Sequence, residues 1–148
     1  MALAGMTQEQ TNEYNREHCK AIADKLEAIA EGRLYKCPEC GEYVEDNELF
    51  CECGCQVDLV GDEAHDGWEM VSFYDYFEDA FDIDYIVNSR KEYKACRIMV
   101  AYGGPNIYIN TWERKVELYW WTDSASFDLT SDTSNAIDDL AEEYFNCL

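Results

Sequence analysis

The N-terminal stretch of the chain predicts one amphipathic helix. Between residues 7 and 31, apolar side chains recur at every third or fourth position, which places them on one helical face. Thr7 is a capping residue with Gln10 at the capping-box position, and Gly32 ends the pattern. The face packs against the rest of the chain or, as the second reading, pairs with a copy of itself. Its members are Tyr14, Cys19, Ile22, Leu26 and Ile29.

The C-terminal half has the pattern of an antiparallel meander. Four β-branched and aromatic segments, at 84–87, 93–102, 107–111 and 116–121, are separated by turns of only a few residues. Apolar and polar residues alternate in the last two, which indicates one buried face covered by helices.

Two further helices flank the predicted strands. Residues 68–81 place apolar side chains three or four positions apart, and residues 136–145 do the same after several possible capping residues. The apolar positions of the first of these helices are Trp68, Val71, Tyr74, Phe77 and Phe81.

The most specific chemical pattern is the stretch YKCPECGEYVEDNELFCECGCQ, residues 35–56, which holds five of the eight cysteines. Two thiolates can meet on one ion only across a tight turn. Pro38 restricts the first turn, and Gly41 lets backbone N–H groups point at sulfur. After a spacer of ten residues comes Cys51-Glu52-Cys53-Gly54-Cys55, a second turn of the same kind with one residue fewer.

This stretch resembles the short zinc ribbons, in which two CxxCG knuckles share one tetrahedral zinc ion. The resemblance implies a structural Zn²⁺ bound by Cys37, Cys40, Cys51 and Cys53. The second knuckle departs from the family, since it reads CxC, and Cys55 is therefore the alternative fourth ligand. Four sulfur ligands leave no open position for a substrate.

Three other roles for the cysteines and histidines stay open at this point. Disulfides are disfavoured by the spacing and by the lack of a signal peptide, and an iron site of rubredoxin type uses similar knuckles. The remaining thiols, Cys19, Cys96 and Cys147, are predicted to be buried and unpaired. His65 is predicted to be a surface residue, because no second histidine stands near it.

Taken together, the patterns predict an α+β protein in the order helix, zinc ribbon, helix, four strands, helix. The expected divisions are an N-terminal helix at 1–34, the ribbon at 35–60 and an αββββα domain at 61–148, with a polar hinge at 61–67. No apolar run approaches the length of a membrane span, and aromatics make up 14% of the chain. We therefore expect a folded cytoplasmic protein.

The formal net charge of −21 is unevenly distributed. Residues 37–86 contain sixteen acidic residues and no Lys or Arg, whereas residues 87–121 are net basic. Solubility alone is one explanation, and a calcium site is disfavoured because no D-x-D-x-D-G loop is present. A third explanation is mimicry of nucleic acid, in which rows of carboxylates bind a groove built for phosphates.

Mimicry gives a list of candidate partner-binding residues on the predicted ribbon and helices. They are Glu45, Asp46, Glu48, Asp75, Glu78, Asp79, Asp82, Asp138, Asp139, Glu142 and Glu143. Like charges four residues apart in the last helix cost it about 0.2–0.5 kcal/mol per pair, so this acidity works against local stability.

Catalysis and direct nucleic-acid binding are both disfavoured. The chain has two isolated histidines and lacks nucleophile, phosphate-loop and HExxH motifs. An acidic ribbon would repel phosphate. In its size, acidity and metal module the chain resembles the small inhibitors that phages and mobile elements carry against restriction or CRISPR nucleases. That resemblance implies a basic nucleic-acid-binding protein as the partner. The alternative is an adaptor that binds its partner through apolar helix surfaces.

Overall fold

The computed structural model describes residues 4–57, 59–60, 63–64 and 67–148, with no statement about the side chains at 59, 60, 63 and 64. His65 and most of the predicted hinge lie outside the described residues. The architecture is mixed α+β, with an N-terminal helix, a small sheet, a five-stranded antiparallel sheet and a C-terminal helix. Among the described residues, no helix combines the length and apolar character that crossing a bilayer requires.

The N-terminal helix α1 spans Gln8–Ala30, as the periodicity predicts. The Thr7 side chain accepts a hydrogen bond from the backbone N–H of Gln10, whose own side chain accepts from the N–H of Thr7, so both halves of the capping box form. Gly32 follows the helix with φ of 71°, a conformation that glycine adopts without strain.

The main sheet is a five-stranded meander, and the prediction of four strands was wrong. It consists of β6 Asp82–Val87, β7 Tyr93–Ala101, β8 Asn106–Asn110, β9 Lys115–Trp120 and β10 Asp123–Asp128. The strands lie in the order β10-β9-β8-β7-β6, and each pairs antiparallel with its neighbours in sequence. The additional strand β10 closes the meander against β9 across the tight turn at Trp121, which has φ of 56°.

The helix predicted at 68–81 is also wrong in extent. Helix α2 is only Phe73–Phe77, because Ser72 and Asp75 form a capping box that starts it late. Residues Glu69–Met70 instead form strand β5. Trp68, assigned by periodicity to the helix, is buried among the cysteines of the small sheet.

The C-terminal helix α3 spans Ser131–Asn146, starting five residues earlier than the pattern suggested. Its N-cap is Thr130, which accepts a hydrogen bond from the N–H of Thr133. Helices α1 and α3 pack on the same face of the large sheet, α1 over β9 and β10 and α3 over β7. The core between them is built from Cys19, Leu26, Ile98, Ile109, Val116, Leu118 and Ile137.

The small sheet has the order β2-β1-β5 and carries the cysteine-rich stretch. Strand β1, Leu34–Lys36, pairs antiparallel with β2, Tyr43–Glu45, and with β5. Strand β3, Leu59–Val60, pairs antiparallel with β4, Glu63–Ala64, in a separate two-stranded sheet. A separate apolar cluster of Ala28, Ile29, Leu34 and Val71 connects the small sheet to the end of α1.

Candidate metal centre

The first cysteine turn is a short hairpin between β1 and β2. Cys37 donates a backbone hydrogen bond to the carbonyl of Glu42 at 2.8 Å, and Gly41 donates one to the carbonyl of Cys37 at 3.0 Å. Gly41 has φ of 77°, so the chain reverses directly after Cys40. Both cysteine side chains therefore leave the same tight turn.

The second turn repeats this arrangement with one residue fewer. Phe50 and Gln56 form an isolated antiparallel bridge, and the backbone N–H of Cys51 donates to the carbonyl of Cys55 at 2.8 Å. Gly54 has φ of 97° and plays the part that Gly41 plays in the first turn. We refer to residues 35–57, which contain both turns, as the cysteine module.

The two turns bring four sulfur atoms together. The Sγ atoms of Cys37, Cys40, Cys51 and Cys53 all lie within 4.8 Å of one another. Cys37 and Cys53 are 3.6 Å apart, and Cys40 and Cys51 are 3.3 Å apart. Sulfur atoms at about 2.3 Å from a tetrahedral zinc are about 3.8 Å from each other. The cluster therefore has the size of a four-sulfur metal site.

Backbone N–H groups point at these sulfurs from inside the turns. Burial raises the pKa of Cys37, but hydrogen bonds from the N–H groups of Cys40 and Glu39, with the neighbouring thiols, lower it to about 6. The N–H of Glu42 lowers the pKa of Cys40, but a hydrogen bond with the Cys51 thiol, and then burial, raise it to about 12. The backbone N–H groups of the turns thus favour the thiolate, the form in which cysteine binds metal, while the neighbouring thiol and burial oppose it at Cys40.

Cys55 lies beside the cluster without belonging to it. Its backbone N–H, followed by its thiol, lowers the pKa of Cys53. Its own pKa is raised to about 12, first because the thiol donates a hydrogen bond to Cys53 and then because of burial. The geometry groups Cys53 with the other three ligands and gives Cys55 the position that Glu42 has beside Cys40.

The cluster is closed on its inner side and reaches the surface on its outer side. Cys37 and Cys51 are buried, whereas Cys40 and Cys53 are exposed. Tyr35, Val44 and Trp68 pack around the buried pair, and Val57 is partly buried against the same cluster. In the described part of the chain, no carboxylate and no histidine belongs to the group of candidate ligands. Four sulfurs and no open position suit a structural ion.

All eight cysteines lie in the described part of the chain, and each is a free thiol there. Cys19 and Cys96 are fully buried in the main core, as predicted. Burial raises the pKa of Cys19 to about 11, which makes this thiol unreactive. The prediction for Cys147 was wrong, because this residue caps the exposed end of α3.

The predicted partner-binding acids fall into three places. Glu45, Asp46 and Glu48 lie on the cysteine module, and Glu45 is half-buried and 3.8 Å from Arg33. Most others are exposed on α2 and the turn that follows it, on the start of β6 and on α3; these are Asp75, Glu78, Asp79, Asp82, Asp139, Glu142 and Glu143. Asp138 is half-buried and accepts a 2.6 Å hydrogen bond from the Tyr93 hydroxyl, which gives it a structural role.

The acids of α2 and α3 share one region of surface. Burial and then the carboxylates of Asp75, Asp79 and Glu78 raise the pKa of Tyr43. Burial and then the carboxylates of Glu143 and Glu78 raise the pKa of Tyr144 on α3. We call the region defined by Asp75, Glu78, Asp79, Asp139, Glu142 and Glu143 the acidic surface.

One buried carboxylate had no assigned role in the sequence reading. Glu117 accepts hydrogen bonds from Asn110 at 3.0 Å and Tyr119 at 2.7 Å, and its Oε1 is 3.2 Å from Nε of Arg97. The Arg97 guanidinium also lies 3.6 Å from the ring centre of Tyr108. These partners satisfy the charge, so the cluster stabilises the sheet face that the helices leave uncovered. The sequence signal that could have located it is the alternation of Val116, Glu117 and Leu118, which places Glu117 on the sheet face opposite the core.

Comparisons with known proteins add no relative. No protein-family model, curated protein or solved structure gave a match to this chain.

Proposed function

We propose that this protein is a zinc-stabilised binding protein without catalytic activity. In this proposal the acidic surface occupies the basic nucleic-acid channel of a DNA- or RNA-processing enzyme and inhibits it. The observation that carries the proposal is that Asp75 and Glu78, from α2 and its C-terminal end, and Glu143 of α3 all lie beside Tyr74 and Tyr144. The resemblance in character to phage and mobile-element inhibitors makes an anti-CRISPR or anti-restriction role the specific form of this hypothesis.

The donor set supports zinc as the metal. A group of four sulfurs suits zinc or iron, and zinc is the redox-inert ion that closed structural sites with four cysteine ligands hold. A bound Zn²⁺ with four thiolates carries a net charge of −2, so the metal centre would leave the module acidic. The ion would fix the two turns, while the residues that meet a partner lie elsewhere on the protein.

Several carboxylates of the acidic surface lie close enough together to meet one phosphate-binding groove. On α3, Asp139 stands three and four residues before Glu142 and Glu143, so their Cβ atoms are about 5–6 Å apart, whereas a DNA strand carries one charge per about 3.4 Å of axis. Hydrogen bonds from Ser72, and then the positive charge of Lys36 on the module, lower the pKa of Asp75. A protein groove lined with Lys and Arg would release its counterions on binding such a surface, which is the main source of its affinity for nucleic acid.

The test is affinity capture from a nuclease-treated lysate, at about 0.1 M and about 1 M salt, where the Debye length falls from about 10 Å to about 3 Å. We expect capture of a nucleic-acid-binding protein that is lost at high salt and displaced by added duplex DNA or RNA. The variant carries Lys in place of Glu78, Asp79, Asp139 and Glu142, which are all exposed.

The matched control makes the same charge change elsewhere, with Lys in place of the exposed residues Glu9, Glu13, Glu113 and Asp128. Loss of capture in the first variant and its retention in the control would support the acidic surface. Capture that survives both high salt and the first variant would contradict mimicry, and would favour an adaptor with an apolar contact.

A further inference from the structure

An apolar groove opens beside the acidic surface. It has a volume of about 440 Å³ and lies between the end of α1, the β5–α2 segment and α3. Its floor consists of Ile29, Val71 and Leu140, which are 3–6% exposed. Met70 and Tyr74 form a wall and are 49% and 52% exposed. The volume is in the range of about 300–1,000 Å³ found for ligand pockets.

The rim of the groove is acidic along α3. Ala136, Asp139, Leu140 and Glu143 follow the spacing of a single helical face, and all four line the groove. The Tyr74 hydroxyl donates a hydrogen bond to Glu143, which holds this carboxylate at the rim. Among the described residues that line the groove, none is Lys or Arg.

The charge of the rim selects among possible occupants. A second copy of this chain would bring another net charge of −21 against Asp139 and Glu143, so like charges would oppose its binding. A segment with apolar side chains on one face and Lys or Arg beside them would fill the floor and neutralise the rim together. Such segments bind apolar grooves as amphipathic helices with anchors at positions i, i+3, i+4 and i+7.

We propose that this groove binds a basic amphipathic segment of the partner protein, with one or two apolar side chains on Ile29 and Leu140 and a cation beside Asp139 or Glu143. This inference rests on the proposed function, since both require a basic partner. It adds that a short apolar contact, and not charge alone, fixes where the partner sits. The surface charges then guide approach, and the groove sets the register.

The probe is a fluorescently labelled helical peptide with Leu at every third or fourth position and Lys elsewhere. One control peptide has Ala in place of each Leu, and the second has Glu in place of each Lys. Binding to the full-length, metal-loaded protein is measured by fluorescence anisotropy, and backbone amide chemical shifts map the site. We expect the Leu/Lys peptide to bind and to shift the amides of Met70, Phe73, Ala136 and Leu140.

Three protein variants test the parts of the groove. Ala136→Leu fills it with an apolar side chain that α3 tolerates, and Met70→Gln makes its exposed wall polar. Both should weaken the Leu/Lys peptide by about tenfold or more, because each anchor buries a full apolar side chain. Asp139→Asn with Glu143→Gln should weaken it by about tenfold, and should keep the Tyr74 hydrogen bond.

The matched control is Glu13→Gln with Glu17→Gln, the same charge change on exposed residues of α1 that stand at least twelve positions, or about 18 Å of helix, before Ile29. This control should bind the Leu/Lys peptide like the wild type. Thermal unfolding of every variant checks that it folds.

The groove proposal is overturned if the Ala/Lys peptide binds as tightly as the Leu/Lys peptide, or if the Leu/Glu peptide does. Unchanged binding to the folded Ala136→Leu and Met70→Gln variants would overturn it as well. None of these results tests the part of the acidic surface outside the groove, because Glu78 and Asp79 do not line the groove. Glu78→Lys with Asp79→Lys therefore tests the proposed function separately: lost capture from the lysate with intact peptide binding would leave both proposals standing.

Discussion

Removing the metal should unfold the cysteine module and leave the five-stranded sheet folded. The two parts have separate cores, since no residue of the module belongs to the main apolar cluster. Apart from cysteines, the buried side chains that pack in this cluster are Tyr35 and Val44 of the module and Trp68, which follows it in the chain. At about 1.5–3 kcal/mol each they contribute about 5–9 kcal/mol, whereas a structural zinc contributes about 10–16 kcal/mol. The ion is therefore the larger stabilising term.

Trp68 reports this local unfolding. It is 4% exposed, whereas Trp112 and Trp121 are 60% and 77% exposed. A chelator should shift the tryptophan emission to longer wavelength, and Trp68→Phe should abolish most of the shift. Amide hydrogen exchange gives the second readout, since the N–H groups of Cys37 and Cys51 should lose protection and those of the main sheet should keep it.

Substitutions of single cysteines show which sulfur atoms bind the metal. Cys51→Ser and Cys53→Ser should reproduce the effect of the chelator, and Cys55→Ser should retain one equivalent of metal, measured by elemental mass spectrometry. Loss of metal in Cys55→Ser with full retention in Cys53→Ser would show that Cys55 closes the site. Metal-free protein that keeps exchange protection at Cys37 and Cys51 would refute the structural role of the ion.

Three further outcomes follow from single side chains. Gly41→Ala should cost about 1–2 kcal/mol because of its φ of 77°, and should weaken metal binding about tenfold or more, as measured by competition with a chelator. Burial raises the pKa of Glu117, but hydrogen bonds from Tyr119, Asn110 and Arg97 lower it overall. Its stabilising effect is thus present above its ordinary pKa of 4.5 and lost as the pH falls, so the difference in unfolding free energy between the wild type and Glu117→Gln should shrink below that pH. Tyr93→Phe should lower the unfolding free energy in urea by about 1.5 kcal/mol, because Asp138 loses its hydrogen bond, and no change would argue that water replaces the hydroxyl.

Elements with a clear apolar period could be predicted from the sequence. The elements that were missed have few apolar side chains, or have apolar side chains that pack in different parts of the structure. Helix α1 and four of the five strands follow their patterns. Strand β10, DSASFD, was missed because its outward side chains are polar and only two of its apolar side chains, Ala125 and Phe127, pack against the core. The capping pair Ser72 and Asp75 was visible in the sequence and marks the true start of α2.

The helix predicted at 68–81 failed because one apolar period served three different structures. Trp68 packs in the cysteine module, Val71 joins the cluster at the end of α1, and Phe77 enters the main core. All three side chains are buried, but they do not belong to one helix. A period of three or four shows that side chains are buried, and it cannot show that they are buried together.

The metal centre could be predicted further than the acidic surface. Turn chemistry ties Cys37 to Cys40 and Cys51 to Cys53 within a few residues, so local spacing was enough to propose the group that the structure brings together. Whether Cys53 or Cys55 joins it depends on the conformation of Gly54, which the spacing does not specify. The grouping of Glu78 with Glu143 depends on how α2 packs on α3, which is a tertiary contact.

Met70 belongs to two parts of the molecule at once. In β5 it pairs with Tyr35, two residues before Cys37, and its side chain lines the groove. A metal ion that holds β1 in place and a ligand that needs β5 in place are thermodynamically linked. Whatever factor the ion adds to the affinity of the ligand, the ligand must add to the affinity of the ion. The dissociation constant of the metal, measured with and without the peptide, therefore reports whether the groove is occupied, although no cysteine lines the groove.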